Sequence, residues 1–164
     1  MNRTLLCFLA AIFLAAWAPQ YSSAQTIWTG GAGTQASPYE ISTADGLYNL
    51  ALAVNGGNAY SGIYFILTAD LDLSSYAEWP RIGYYSTSTN RPFSGIFDGG
   101  GKTIDYLTIT TPVNYAALFG NLEGSSALIT NITLTNVRIT GAYGAAGVLA
   151  TADYGATISN CIVE

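Results

Sequence analysis

The chain has 164 residues, a formal net charge of −5 from ten acidic and five basic side chains, and no histidine. A chain this acidic has no basic stripe to neutralise phosphates, which excludes nucleic acid and anionic membranes as favoured partners. The lack of histidine excludes Ser-His-Asp and Cys-His catalysis and the zinc sites that need histidine ligands. The many Gly, Thr, Ser, Asn and Tyr residues are typical of short strands between tight turns and predict an all-β protein.

Residues 1–24 have the pattern of a secretory signal peptide. Arg3 provides the basic start, residues 5–18 form an apolar run, and small residues precede Gln25. The run is too short for a membrane span and no later stretch is long enough, so we expect no membrane insertion after signal removal. The mature chain then has four basic residues and one cysteine, Cys161, which cannot form an internal disulfide.

Residues 25–61 are predicted to form an extended lead-in and the one helix of the mature chain. Ser42 and Asp45 have the spacing of a capping box. Four apolar residues then recur on one helical face: Leu47, Leu50, Ala51 and Val54. The run Asn55–Gly57 would end the helix. Because the helix precedes a long β region, we expect it to cover the first end of that region, where open strand edges invite association.

Residues 62–164 are predicted to be built from strands. Apolar and polar residues alternate between Ile63 and Leu73, which is the period of a strand. Residues 74–92 break this alternation and predict a long loop, a kind of segment that is often functional.

A glycine run at Gly99–Gly101 precedes Lys102 and superficially suggests a phosphate-binding loop. The first glycine of that pattern is missing, since Ile96 occupies its place, and alternating residues follow where a helix would be needed. The run is therefore interpreted as a tight turn between strands.

Internal similarity at a period of 25 to 29 residues indicates a solenoid. At an offset of 25, Ile104, Leu107 and Ile109 match Ile129, Ile132 and Leu134. At an offset of 29, Ile129, Asn131, Ile132 and Leu134 match Ile158, Asn160, Cys161 and Val163. The repeats are too short for βαβ units and lack helical periodicity, which predicts a parallel β-helix.

This alignment makes three local predictions. Asn131 should stack on Asn160 at one corner, where the two amides can bond each other. The chain should bend near Asn136, because the alternation slips in phase there. Cys161 should point inward as a small hydrophobe rather than act as a nucleophile.

The chain resembles the bacterial surface proteins that carry the glycine-rich GLUG repeat. The matching pieces cover nearly all of the mature chain: PYEISTADGLYNLALAVN, YFILTADLDL, PFSGIFDGGGKTIDYLTI, ALFGNLEGSSALITNITLTNVRITG and AAGVLATADYGATISNCIVE. The repeat is degenerate here, with Ala146 and Ala150 where the family usually has glycine. The resemblance implies a secreted or cell-surface right-handed parallel β-helix with a short N-terminal capping helix, a role in adhesion, no established catalytic site, and further rungs beyond Glu164.

Aromatic residues in the 74–92 loop form the candidate ligand-binding site. Trp79, Tyr84 and Tyr85 can offer flat faces to sugar rings while Asn90 supplies hydrogen bonds. The alternative is that these rings pin the loop to the flank of the coil. No cofactor is expected.

Four aspartates form a second candidate site. Asp70 and Asp72 share a strand face about 7 Å apart, a spacing that suits a weak calcium site or an acid/base pair. With Asp98 and Asp105 they are the candidate residues of a β-helix polysaccharide lyase or glycoside hydrolase. No signature of those hydrolases occurs, and no basic residue is grouped with them by the repeat, which favours solvated outward carboxylates.

These observations predict a non-enzymatic, secreted or cell-surface β-helix module that contacts a glycan or a surface protein through residues 79–90. Two alternatives stay open. One is the polysaccharide lyase or hydrolase, and the other is an incomplete fragment of a longer surface adhesin. An uncapped final rung would be expected to self-associate end to end.

Overall fold

The computed structural model describes residues 28–164, and the predicted signal peptide lies outside this range. The described chain is a β-solenoid of about four rungs with a single short helix, so the predicted parallel β-helix is confirmed. In chain order the elements are β1 (Tyr39–Ile41), α1 (Ala44–Asn55), β2 (Tyr64–Leu67), β3 (Leu71–Asp72), β4 (Tyr84–Tyr85), β5 (Asn90–Arg91), β6 (Ile96–Asp105), β7 (Thr108–Asn114), β8 (Leu122–Glu123), β9 (Leu128–Thr135), β10 (Arg138–Tyr143), β11 (Ala152–Asp153), β12 (Thr157–Ser159) and β13 (Ile162–Val163). No helix in the described range is long and apolar enough to span a membrane.

One large parallel sheet runs the length of the solenoid in the order β1-β2-β6-β9-β12, with one strand from each rung. Two smaller parallel pairs, β7 with β10 and β8 with β11, form the other faces. Every rung therefore lies on its equivalent, and the inward side chains stack into columns. One column contains Phe65, Phe97 and Ile129, each at most 1% exposed, and continues to Ile158.

The two predicted repeat offsets have different outcomes. The offset of 29 is confirmed, because Ile158 pairs with Ile129 and Val163 with Leu134. The offset of 25 is wrong, because Ile104 pairs with Leu134 and not with Ile129. The glycine turn at residues 99–101 holds extra residues that shift the register inside β6, and an alignment without gaps cannot show such a bulge.

Asparagines and glycines shape the corners between faces, as predicted. Asn131 and Asn160 both have a left-handed backbone, with φ of 57° and 56°, and Asn160 Nδ2 donates to Asn131 Oδ1 over 2.9 Å. Asn136 bends the chain with φ of 50°. A Cβ atom on Gly99 would lie 2.2 Å from the Asn131 carbonyl oxygen, so glycine permits the close approach of two rungs.

Helix α1 occupies the first rung and lies over the second. Its Asn55 side chain donates to the Arg81 carbonyl and accepts from the Gly83 backbone, each over 3.0 Å. The predicted apolar face is fully buried: Leu47, Leu50, Ala51 and Val54 are 0% exposed. The predicted cap is one residue out of place. Thr43, not Ser42, is the N-cap and accepts from Gly46 N over 3.1 Å, because Thr43 has the extended backbone that an N-cap needs.

The described part of the lead-in folds back instead of running straight. Gly30 and Glu40 form an antiparallel bridge, and the Trp28 ring packs edge-on against Phe65 at 5.1 Å. The apolar stretch from Ile63 to Leu73, predicted as one strand, is divided into β2 and β3 by a corner. The first end of the core is thereby covered by α1 together with the Trp28 segment.

Candidate functional site

The predicted 74–92 loop carries a small antiparallel hairpin formed by β4 and β5. Its polar tip is ordered by hydrogen bonds between its two ends. Ser86 N donates to the Thr89 carbonyl over 2.8 Å, and Thr89 N donates to Ser86 Oγ over 3.0 Å. Ser and Thr side chains favour such turns because they bond nearby backbone groups. The hairpin is therefore a fixed projection from the flank of the second rung.

Trp79 does not belong to an exposed binding surface, which corrects the sequence prediction for this residue. Its side chain is 3% exposed and packs edge-on against Tyr76 at 4.9 Å and Tyr48 at 5.6 Å. Its backbone N donates to the Thr108 carbonyl over 2.8 Å. The indole has no free face for a sugar ring, because it anchors the start of the loop in the core. The pinning interpretation is the correct one for Trp79.

The other three predicted residues lie on the hairpin in different environments. The Tyr84 ring is half-buried, with the Arg81 guanidinium carbon 5.3 Å from its centroid. The Asn90 amide is occupied, because its Nδ2 donates to Glu123 Oε2 and its Oδ1 accepts from Asn121 Nδ2, each over 2.8 Å. Tyr85 is 48% exposed. Among the predicted residues, Tyr85 thus offers the most accessible ring.

Two tyrosines that the sequence analysis did not select continue from Tyr85 along the flank. The Tyr115 ring lies 6.4 Å from Tyr85 and the Tyr143 ring lies 5.6 Å from Tyr115, centroid to centroid. Tyr143 is 68% exposed and Tyr115 is half-buried between its neighbours. We name these three residues the tyrosine stripe. The 28-residue spacing of Tyr115 and Tyr143, close to the repeat period, was the signal that could have found them.

The backbone around Tyr115 holds its ring in place. Tyr115 has φ of 57°, a left-handed conformation that costs an L-residue other than glycine about 1–2 kcal/mol. Its N donates to the Tyr143 carbonyl over 2.6 Å, which joins the two rungs at this corner. A Cβ atom on Gly144 would lie 3.1 Å from Tyr115 Cδ1, so the glycine leaves room for the ring.

The Asp70 and Asp72 carboxylates make backbone hydrogen bonds. Asp70 Oδ1 accepts from Thr103 N of the next rung over 2.8 Å. Asp72 Oδ1 accepts from Ser74 N over 2.8 Å, and hydrogen bonds from the Ser74 side chain and backbone lower the pKa of Asp72. Within residues 28–164, no three His, Cys, Asp or Glu side chains are grouped closely enough to hold a metal ion.

Asp98 and Asp105 stabilise corners. Asp98 Oδ1 accepts from Gly100 N over 2.8 Å and from Asn131 Nδ2 over 2.9 Å. Asp105 Oδ1 accepts from Thr135 Oγ1 over 2.8 Å and from the Asn136 amide over 2.7 Å. Both carboxylates thus tie one rung to the next, which gives each a structural explanation.

Cys161 lies at the inward position that the repeat predicts, above Ile132. It is half-buried, and its thiol donates to the Ser159 carbonyl over 3.2 Å. Burial raises the pKa of the Cys161 thiol, which disfavours the reactive thiolate.

Comparison with known proteins adds two distant relatives. No protein-family model matches the chain, and no solved structure matches it significantly. The chain is 34% identical over 171 residues to a protein of Evansella cellulosilytica named "Putative Gly-rich membrane protein". It is 36% identical over 117 residues to Halomucin of Haloquadratum walsbyi. The matches cover 98% and 68% of this chain but span 18% and 1% of the length of those relatives. In both relatives the similar segment is thus a small part of a much longer protein.

Proposed function

We propose that this chain is a non-enzymatic module of a secreted or cell-surface protein that serves adhesion by binding a glycan on its hairpin flank. The observation that carries the proposal is the exposed Tyr85 ring on an ordered hairpin. An aromatic face held by a rigid support binds a sugar ring with little loss of conformational entropy. The Ser and Thr residues of the tip supply hydrogen-bonding groups beside it.

Two further observations support this function. The names of the two relatives describe a membrane protein and a mucin, and a location at the cell envelope suits an adhesive module. The four aspartates that a β-helix lyase or hydrolase would use are bonded to backbone and corner groups in this fold. The predicted signal peptide at residues 1–24 would deliver the chain to that location.

A polysaccharide-binding assay on the chain without its signal peptide tests this function. Tyr85→Ala should weaken binding to the bound polysaccharide about tenfold, the loss of one aromatic contact of about 1.4 kcal/mol. Tyr154→Ala is the matched control, because Tyr154 is 79% exposed but lies outside the stripe. Equal binding by Tyr85→Ala and the unmodified chain would remove the hairpin from the proposal.

The enzymatic alternative has its own measurement. Acidic and neutral polysaccharides are incubated with the chain, with and without calcium, and assayed for new reducing ends and unsaturated products. We expect no turnover. Turnover that is lost in Asp70→Asn or Asp98→Asn would replace binding with catalysis as the function.

A further inference from the structure

We propose that the tyrosine stripe is a binding track for a neutral polysaccharide that lies along the axis of the solenoid. The inference rests on the proposed glycan-binding function and adds the ligand class, its direction and two contact residues, Tyr115 and Tyr143.

The stripe takes one ring from each of three successive rungs. Tyr85 lies in β4 of the second rung, Tyr115 directly follows β7 of the third, and Tyr143 ends β10 of the fourth. The ring centroids are separated by 6.4 and 5.6 Å, so the rings form a continuous line across the rungs. A solenoid repeats its surface in one direction, and a polymer of repeating units is the ligand that such a surface matches.

The tilt of the rings indicates a ligand with rotatable linkages. Tyr85 and Tyr115 are inclined by 63°, and Tyr115 and Tyr143 by 83°. A flat rigid molecule cannot stack on three faces that turn this steeply. A chain of sugar rings can, because each glycosidic linkage allows the next ring to rotate.

The charge of the protein selects among polymers. Residues 28–164 contain ten acidic and four basic side chains, so acidic polysaccharides are repelled. Single-stranded nucleic acid also stacks on aromatic rings, but it needs a basic groove for its phosphates. An uncharged polysaccharide stacks on the tyrosines and carries no charge for the protein to repel.

The left-handed corners provide a clean variant for the test. Asparagine tolerates this backbone, as Asn131 and Asn136 do in the same fold, so Tyr115→Asn removes the ring without disturbing the corner. Tyr106→Asn is the matched control, because Tyr106 has φ of 59° and is 45% exposed but lies outside the stripe. Tyr143→Ala is a second stripe variant at the exposed end and covers a loss of folding in Tyr115→Asn.

Titration with neutral gluco- and manno-oligosaccharides of increasing length tests the track. Affinity should rise with length until the three rings are covered and then level off, with little dependence on salt. Tyr115→Asn and Tyr143→Ala should weaken the longest oligomers about tenfold and hardly affect the shortest, whereas Tyr106→Asn should bind like the unmodified chain. Thermal unfolding of each variant confirms that it is folded.

Each contrary result has a distinct meaning. If Tyr85→Ala weakens binding but the two stripe variants do not, the track is refuted and the proposed function stands. Preference for polygalacturonate, or salt-sensitive binding of a thymidine oligonucleotide, refutes the neutral ligand. If no saccharide binds the unmodified chain, both proposals fail.

Discussion

Corner asparagines are the residues in which local conformation and contact between rungs are most closely combined. Asn131 Nδ2 donates to Asp98 on one side, and Asn131 Oδ1 accepts from Asn160 on the other, each over 2.9 Å. Both asparagines also have a left-handed backbone, which asparagine tolerates better than other residues with a side chain. The two effects can be separated by substitution.

Asn131→Ala should lower the free energy of unfolding by about 2–4 kcal/mol, because it removes two hydrogen bonds and places alanine in a left-handed conformation. Asn131→Gly should cost less, since glycine adopts that backbone freely and loses only the bonds. Asn160→Ala, with one bonded neighbour, should lie below Asn131→Ala. Urea unfolding measures all three. Equal costs for Asn131→Ala and Asn131→Gly would show that the backbone contributes nothing.

At the scale of the element, the start of α1 distinguishes two adjacent hydroxyl residues. Thr43→Ala should cost about 1 kcal/mol of stability, because the Gly46 N–H loses its acceptor. Ser42→Ala should cost less, since the Ser42 hydroxyl makes one exposed 3.3 Å contact with Thr29 Oγ1. Urea unfolding of the two variants provides the comparison. A larger loss in Ser42→Ala would restore the cap predicted from sequence.

Strand β7 is held from the second rung by the Glu78 carboxylate. Glu78 accepts from Thr110 N over 2.9 Å, from Thr111 N over 3.3 Å, and from the Thr110 hydroxyl. Hydrogen bonds from the Thr110 side chain and backbone lower the pKa of Glu78 below its ordinary 4.5. A lowered folded-state pKa means that this stabilisation is present above pH 4.5 and is lost as pH falls through the lowered value.

Glu78→Gln should therefore be less stable than the unmodified chain at neutral pH, and the difference should shrink on acidification to about pH 3. Urea midpoints measured across that range test the prediction. Asp72→Asn is the matched control, because Asp72 also has a lowered pKa but bonds Ser74 within its own rung. A difference for Glu78→Gln that does not vary with pH would mean that the carboxylate charge has no part in holding β7.

At the scale of the whole molecule, the two ends of the described solenoid differ. The first end is covered by α1 and the Trp28 segment, whereas β12 and β13 pair with β9 on one side only. Three apolar side chains that continue the core columns are exposed there: Ile158 at 41%, Ile162 at 53% and Val163 at 52%. Open strand edges with apolar side chains favour association.

Residues 25–164 expressed alone should therefore associate with rising concentration and stop at a dimer, because one open end gives a closed two-fold contact. Sedimentation equilibrium measures this. Val163→Lys should raise the dissociation constant at least tenfold, while Leu52→Lys, which changes an exposed apolar residue of α1, should leave it unchanged. A strict monomer at high concentration, or the growth of fibres, would contradict this prediction.

The sequence by itself determined the features that depend on near neighbours. Alternation of apolar and polar residues specified strands, the apolar positions from Leu47 to Val54 specified the helix, and asparagine and glycine marked the corners. The stack of Asn131 and Asn160 was also predictable, because those two rungs are related by a constant offset without a bulge. These are local signals that survive without knowledge of the fold.

Only the tertiary structure decided what depends on contacts between rungs. The bulge at Gly99–Gly101 changed the register of β6 on β9, so the offset of 25 failed. Trp79 and Tyr85 look equally available in sequence, yet packing against α1 buries the first and the hairpin exposes the second. The tyrosine stripe forms because residues about 30 positions apart are stacked roughly 4.8 Å apart across parallel strands, a proximity that composition and local periodicity do not contain.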